Sequence, residues 1–159
     1  MPEISTTIVE VRLEAHDAAT LKLDLSGAAF PHRPGQYVEI DPHQFEPLAA
    51  GIAEMERKKG MPESPRSFSI SSDGGDSGFI EISVKEEKPR AFDPVITPFL
   101  VHGAKPGLRV VLSGPNGRYC LPESPPPIRG FLHLCAGSGV APNRGMIRFA
   151  LGRGWPQRH

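Results

Sequence analysis

The chain is built from short segments in which apolar and polar residues alternate, and this pattern limits it to a mainly β fold. Val9, Val11 and Leu13 alternate with charged residues, and residues 20–25 repeat the same period of two. Successive side chains of a strand point to opposite faces, so each segment has one face to bury. Glycine and proline supply 17 and 18 of the 159 residues, and their spread along the chain suits many short strands joined by turns.

Strands at this spacing predict an antiparallel barrel or sandwich. The predicted strands are residues 4–14, 20–25, 36–40, 66–72, 79–85 and 108–113. Residues 43–62 interrupt the series, since they carry apolar side chains at helical spacing and end in a basic turn before Gly60. We predict a short inserted helix there, packed over the barrel end. A lid over a ligand, a partner contact or a mobile loop are the alternatives.

The C-terminal part has a different character. Residues 122–130 are rich in proline and predict a stiff linker. Residues 131–136 form a near-continuous apolar run, as in a strand of a parallel sheet. A Gly-rich turn at 137–142 and a predicted helix at 143–151 follow. This order favours a phosphate at the helix N-terminus, although a lone Gly-x-Gly is a weak signal.

One strand and one helix cannot form a doubly wound sheet. We therefore expect the first strand–loop–helix of a truncated α/β nucleotide-binding domain, or else an unusual packing of this segment. The predicted division is a β-barrel domain at 1–121, a Pro-rich linker at 122–130 and the start of the second domain at 131–159.

Charge and composition exclude several classes of protein. Lys plus Arg and Asp plus Glu are 18 each, so the formal net charge is zero, which argues against bulk nucleic-acid or polybasic membrane binding. No apolar run approaches the ~18 residues of a membrane span, and the N-terminus has no signal pattern; we expect a cytoplasmic protein. Cys120 and Cys135 are too few for an iron–sulfur or other metal cluster, and we expect each to be a buried apolar side chain.

The stretch Arg66 to Ser71 carries the most specific chemistry. On a strand, Arg66, Phe68 and Ile70 would share one face and three serines the other. Arginine offers a planar fork for phosphate oxygens, phenylalanine a stacking surface, and serine a donor for a ring nitrogen. This combination fits a flavin nucleotide. The alternative is an ordinary half-buried strand with an arginine at its entrance.

The order of several motifs resembles the ferredoxin–NADP reductase superfamily over residues 5–151. The motifs are Pro34-Gly35-Gln36-Tyr37-Val38, Arg66-Ser67-Phe68-Ser69, Ile82-Ser83-Val84-Lys85, Ser113-Gly114-Pro115-Asn116-Gly117 and Ala136-Gly137-Ser138-Gly139-Val140-Ala141-Pro142. The resemblance implies a six-stranded antiparallel Greek-key FAD-binding barrel followed by an NAD(P)-binding α/β domain.

The resemblance also implies roles for individual residues. Arg66 would contact the FAD pyrophosphate, Phe68 would lie against the isoalloxazine, and Ser69, the implied catalytic residue, would hydrogen-bond the flavin N5. Thr97 stands where the family has a serine in the helix that caps the pyrophosphate, but Pro94 replaces a glycine there. The other implied cofactor-binding residues are Ser67 beside Arg66, Val84 and Lys85 along the ribityl and adenosine part, and Gly137, Gly139 and Pro142 in the nicotinamide loop.

The implied function is that of an FAD-dependent oxidoreductase. It would pass electrons from NAD(P)H through the flavin to an unidentified acceptor, with a redox partner protein as one candidate. These 159 residues alone are expected to bind NAD(P)H poorly. One alternative is a non-catalytic FAD-binding or docking subunit of an electron-transfer complex. A more remote one is a small barrel that binds an unrelated ligand and uses its glycines only in turns.

Overall fold

A computed structural model describes residues 2–74, 78–89 and 94–159 of the chain. Within these ranges six strands form one antiparallel sheet. The strands are β1 (Glu3–Ala15), β2 (Ala18–Asp24), β3 (Tyr37–Ile40), β4 (Arg66–Ser69), β5 (Phe79–Lys85) and β6 (Arg109–Asn116). The helices are α1 (Ala49–Lys59), α2 (Ile96–Pro98), which continues into a π-helical turn at Phe99–Gly103, and α3 (Val140–Gly152). None of the described helices has the length and hydropathy needed to cross a bilayer.

The sheet has the strand order β4-β3-β6-β1-β2-β5. Its two edges come together, because Ile70, directly after β4, forms an isolated antiparallel bridge with Ile82 of β5. The backbone N–H of Ser71 also donates to the carbonyl of Glu81 at 2.7 Å. The predicted antiparallel barrel is confirmed, with a seam between β4 and β5 that no continuous hydrogen-bond ladder closes.

The period of two in the sequence places one side chain in two inside the barrel. Leu21 and Leu23 of β2 face Ile80 and Ile82 of β5, and all four are fully buried. Burying such a side chain contributes about 1.5–3 kcal/mol relative to leaving it exposed. The core therefore lies on the inner face of these strands, and their polar side chains face outwards. In β1 the buried face predicted from Val9, Val11 and Leu13 is wrong, because Val9 and Leu13 are 40% and 63% exposed whereas Thr6 and Ile8 are buried.

The inserted helix forms as predicted and packs over one end of the barrel. Ile52 and Met55 of α1 are buried, and the Phe45 ring lies 5.1 Å from the ring of Phe99. Gly60 ends the helix with a φ of 71°, a left-handed conformation that glycine adopts without steric cost. The apolar face of α1 thus belongs to the barrel core.

The predicted parallel strand at 131–136 is wrong for this structure. These residues take part in no ladder, and the side chains of Leu132 and Leu134 are 84% and 79% exposed. A parallel strand needs hydrogen-bonding neighbours, and no strand of the described ranges lies beside this segment. The start of the segment is held instead by Arg158. The backbone of Arg158 forms an isolated β-bridge with Gly130, and its carbonyl accepts a hydrogen bond from the Phe131 N–H at 2.8 Å.

Helix α3 begins three residues earlier than the predicted position and lies against the barrel seam. A Cβ added to Gly145 would stand 2.7 Å from the carbonyl oxygen of Ser72 and 3.2 Å from that of Ile70. The helix can approach the backbone this closely only because residue 145 has no side chain. On its other side α3 contributes Met146 and Ala150 to a small apolar cluster with Leu121.

Candidate functional site

A narrow cleft of about 150 Å³ opens along β4 near the barrel seam. It gathers side chains from five parts of the chain, because β4, β5, the segment after β5, α2 and the Gly-rich turn before α3 converge here. Its lining residues are Arg66, Ser67, Phe68, Ser69, Ser83, Lys85, Glu87, Thr97 and Ser138. The structure therefore brings together the predicted β4 residues with Lys85 and Thr97.

Arg66 does not present a free guanidinium to this cleft. Its Nη2 forms an ion pair with a carboxylate oxygen of Glu87, a residue that sequence reasoning did not single out. The backbone N–H of Glu87 in turn donates to the hydroxyl of the buried Thr97 at 3.0 Å. The cation predicted to hold a phosphate is thus balanced by a carboxylate on the opposite wall.

Phe68 is a core residue as well as a cleft residue. It is 6% exposed and lies opposite Val38 of β3, whereas its neighbour Ser67 is exposed. The alternation predicted for this strand is thus observed at these two positions. Burial turns the ring into part of the cleft wall and leaves little of its face open to a ligand. Ser69, which is partly accessible, offers its hydroxyl to the same cleft.

A second and larger cleft of about 650 Å³ adjoins the first. The two share Ser83, Lys85 and Ser138 as lining residues. The larger cleft is also lined by the predicted residues Val84 and Gly137. Gly139 and Pro142 line neither of these two clefts; they lie at the start of α3.

Charged side chains form one wall of the larger cleft. Glu81 of β5 lies 2.8 Å from Arg148 and 3.4 Å from Arg144, both on α3, and 3.7 Å from Arg12 on β1. Its side chain is only 14% exposed. The network joins α3 to the barrel. None of these four residues was singled out from the sequence, because no local pattern indicates that three arginines meet one carboxylate.

Two neighbouring carboxyl groups of the same cleft have lowered pKa values. The hydroxyl of Thr20, which donates to Glu14 at 2.7 Å, lowers the pKa of that carboxyl, and Arg12 adds to the effect against partial burial. Asp17 lies 3.4 Å from Lys85. Burial opposes its ionisation, but the hydrogen bond and charge of Lys85 outweigh burial and lower the pKa of Asp17. Lys85, like Arg66, is therefore paired with a carboxylate.

The cysteines lie outside both clefts, and neither is fully buried as predicted. Cys120 is half-buried, and burial raises the pKa of its thiol. Cys135 is exposed, because the segment that carries it packs into no sheet. Among the described residues no group of three or more His, Cys, Asp or Glu side chains is arranged to hold a metal ion.

The fold can be compared with known proteins. A ferredoxin–NADP⁺ reductase from Plasmodium falciparum superposes with a TM-score of 0.70 at 18% identity, covering 98% of this chain and 55% of that one. The chain has the ferredoxin–NADP reductase fold. A cytochrome P450 reductase from Amycolatopsis superposes with a TM-score of 0.71 at 26% identity, covering 96% of this chain and 40% of that one.

A sequence relative extends the comparison. An NADPH oxidoreductase of Mycobacterium tuberculosis is 34% identical over 150 residues, which cover 92% of this chain and 34% of the relative. The chain thus spans about a third of the length of this curated relative. No protein-family profile matches the chain. Because the aligned region takes in nearly all of the chain, the ferredoxin–NADP reductase fold accounts for α3 and its Gly-rich loop as well as the barrel.

Proposed function

We propose that this chain is the FAD-binding part of an NAD(P)H-dependent flavoprotein reductase. Electrons would pass from the nicotinamide nucleotide through the flavin to a redox partner. The observation that carries the proposal is the cleft in which Arg66, Ser69 and Thr97 meet within a ferredoxin–NADP reductase fold. The names of two similar proteins, an NADPH oxidoreductase and a cytochrome P450 reductase, agree with it.

The clefts suit FAD in size and charge only when taken together. Pockets for ligands of drug size or larger hold roughly 300–1,000 Å³, so the cleft of about 150 Å³ is too small for a dinucleotide. The adjoining cleft of about 650 Å³ supplies the missing room. In this proposal the ligand crosses from one cleft to the other beside Ser83 and Lys85.

The residues of the cleft would share the work of binding. Bound FAD would supply the hydride acceptor, which no side chain of the protein can replace. Arg66 would bind the pyrophosphate through its planar fork, and Ser69 would donate a hydrogen bond to the flavin ring. Thr97 would act through the backbone, because its hydroxyl fixes the N–H of Glu87. Phe68 would close the wall behind the ring and exclude water.

The remaining assignments concern residues beside the flavin nucleotide and the nicotinamide nucleotide. Ser67, Val84 and Lys85 would border the flavin nucleotide, and Gly137, Gly139 and Pro142 would meet the nicotinamide nucleotide. We propose the barrel domain at 1–121, the linker at 122–130 and the start of an NAD(P)-binding domain at 131–159. The exposed Leu132 and Leu134 support this division, since such an apolar run would be buried between the layers of an α/β domain.

Titration with FAD tests the proposal. The protein is expected to bind FAD and to quench its fluorescence. Arg66→Ala is expected to weaken binding by about 1.5–3 kcal/mol, the range for a charge-assisted hydrogen bond. Arg109→Ala is the matched control, because Arg109 is exposed on β6 and contacts Ser5 away from the clefts. Absence of FAD binding, or equal effects of the two substitutions, would overturn the assignment.

A non-catalytic FAD-binding or docking subunit is the second candidate. It is favoured by the observation that no strand of the described residues pairs with residues 131–136 to complete a nucleotide-binding sheet. NADPH and NADH are added to the FAD-loaded protein under anaerobic conditions, and flavin absorbance is followed. Rapid bleaching would exclude this candidate, whereas stable absorbance would favour it.

A further inference from the structure

We propose that Glu87 acts as an internal substitute for the phosphate of the ligand. Its carboxylate is paired with Arg66 and has to leave when the dinucleotide binds, so Glu87 limits the affinity for FAD. This inference rests on the proposed function. It concerns a residue outside the motifs that suggested that function.

Hydrogen bonds from the backbone hold residues 86 and 87 in place beside the cleft. The Glu87 N–H donates to Thr97 at 3.0 Å, and the Glu86 N–H donates to the carbonyl of Asp17 at 2.8 Å. Thr97 is itself 4% exposed. The backbone that carries the carboxylate is therefore tied both to α2 and to the turn between β1 and β2. The pairing with Arg66 follows from this anchoring of the backbone.

The charges of the cleft are balanced before any ligand arrives. Among the described residues, the lysine and arginine side chains lining the narrow cleft are Arg66 and Lys85. Arg66 is paired with Glu87, and Lys85 is paired with Asp17 at 3.4 Å. A pyrophosphate next to Arg66 would meet the negative charge of Glu87 on the same guanidinium. A phosphate and a carboxylate that contact the same guanidinium lie close together, and their negative charges repel each other. Ligand binding therefore requires the Glu87 side chain to rotate out of the cleft.

The side chain is free to make this movement. The Glu87 side chain is 46% exposed, against 38% for Arg66, so its carboxylate already borders water and can turn further into it. The ion pair keeps the Arg66 guanidinium in the cleft, and the same pair competes with every anion that approaches it. Removal of the charge should therefore strengthen the binding of ligands with phosphate groups and leave other ligands unaffected.

Glu87→Gln tests the inference, because it keeps the shape of the side chain and removes its charge. FAD affinity is expected to rise about tenfold at low salt, and the gain should shrink as added salt screens the repulsion. Glu86→Gln is the matched control, since Glu86 pairs with His102 at 2.8 Å and lines neither cleft. Riboflavin, which has the same ring without phosphate, is titrated in parallel.

The outcomes separate the inference from the proposed function. A gain for FAD with Glu87→Gln, but not with riboflavin or Glu86→Gln, supports the inference. Wild-type binding of FAD that neither substitution changes would overturn the inference and leave the proposed function standing. An equal gain for riboflavin would also overturn it, because the effect would not involve phosphate. If neither the wild type nor Glu87→Gln bound FAD, both would fail. Glu87→Ala should reproduce the Glu87→Gln result, and thermal melting verifies that the variants are folded.

Discussion

The six strands of the barrel and the segment 131–136 differ in what surrounds them. Both have sequences typical of strands, yet β2 is paired on both edges, while the later segment joins no ladder among the described residues and is held only at its start by Arg158. Leu21 of β2 is fully buried, and Leu134 is 79% exposed. Backbone groups require partners, so a strand-like sequence forms a strand only where the fold supplies neighbours for it.

Truncation of one leucine in each region gives the largest expected contrast. Leu21→Ala should lower the free energy of unfolding by about 2–5 kcal/mol, because it leaves a cavity in the core. Leu134→Ala should change it by about 0.5 kcal/mol or less, as expected for an exposed side chain. Urea denaturation followed by circular dichroism measures both. A large loss with Leu134→Ala would show that the segment is buried in solution and would remove the contrast.

The difference between the two regions also explains what the sequence could predict. Alternation located all six strands of the described sheet, but it gave the wrong buried face for β1, whose Val9 and Leu13 are exposed while Thr6 and Ile8 are buried. The apolar run at 131–136 predicted burial on two faces, but its pattern says nothing about which layers would cover it. The inserted helix was predictable from the spacing of Ile52 and Met55, both of which are buried.

The candidate site was predictable in part. The motif order led to Arg66, Ser69 and Thr97, which the fold brings into one cleft from distant parts of the chain. Glu87 and Glu81 were not found, because their importance comes from the arginines that the fold places opposite them. No local pattern signals such an encounter. Alternation also implied that Phe68 is buried. Only the geometry of the cleft shows that this burial leaves little of the ring face open for stacking on a ligand.

The contact between α3 and the barrel seam gives the second contrast. Gly145→Ala should lower the free energy of unfolding by about 1–3 kcal/mol, because the added methyl group meets the Ser72 carbonyl. Gly152→Ala is the matched control at the end of the same helix, where an added Cβ has no neighbour within 4 Å. It should be neutral or stabilise by roughly 0.5–1 kcal/mol through helix propensity. Similar losses for both variants would mean that α3 does not rest on the seam.

The smallest expected effect concerns α1. Its buried face packs on the barrel, and ion pairs also join the helix to the turn before it. His43 lies between Asp41 at 2.6 Å and Glu56 of α1 at 2.9 Å. The hydrogen bond to Asp41, followed by that to Glu56, raises the pKa of His43. A histidine whose pKa is higher in the folded state than its unfolded value of about 6.5 stabilises the fold fully below that value. The contribution is lost as the pH rises through the folded pKa.

His43→Gln isolates this contribution. The side chain is 42% exposed, so we expect about 0.5 kcal/mol at most, the range for solvent-screened pairs. Urea midpoints of wild type and variant should differ near pH 6 and converge near pH 9, because the neutral imidazole no longer attracts the two carboxylates. Other titrating groups act equally on both proteins and cancel in the difference. A difference that grew with pH would mean that His43 is held neutral, and α1 would then depend on its buried face alone, as the barrel strands do.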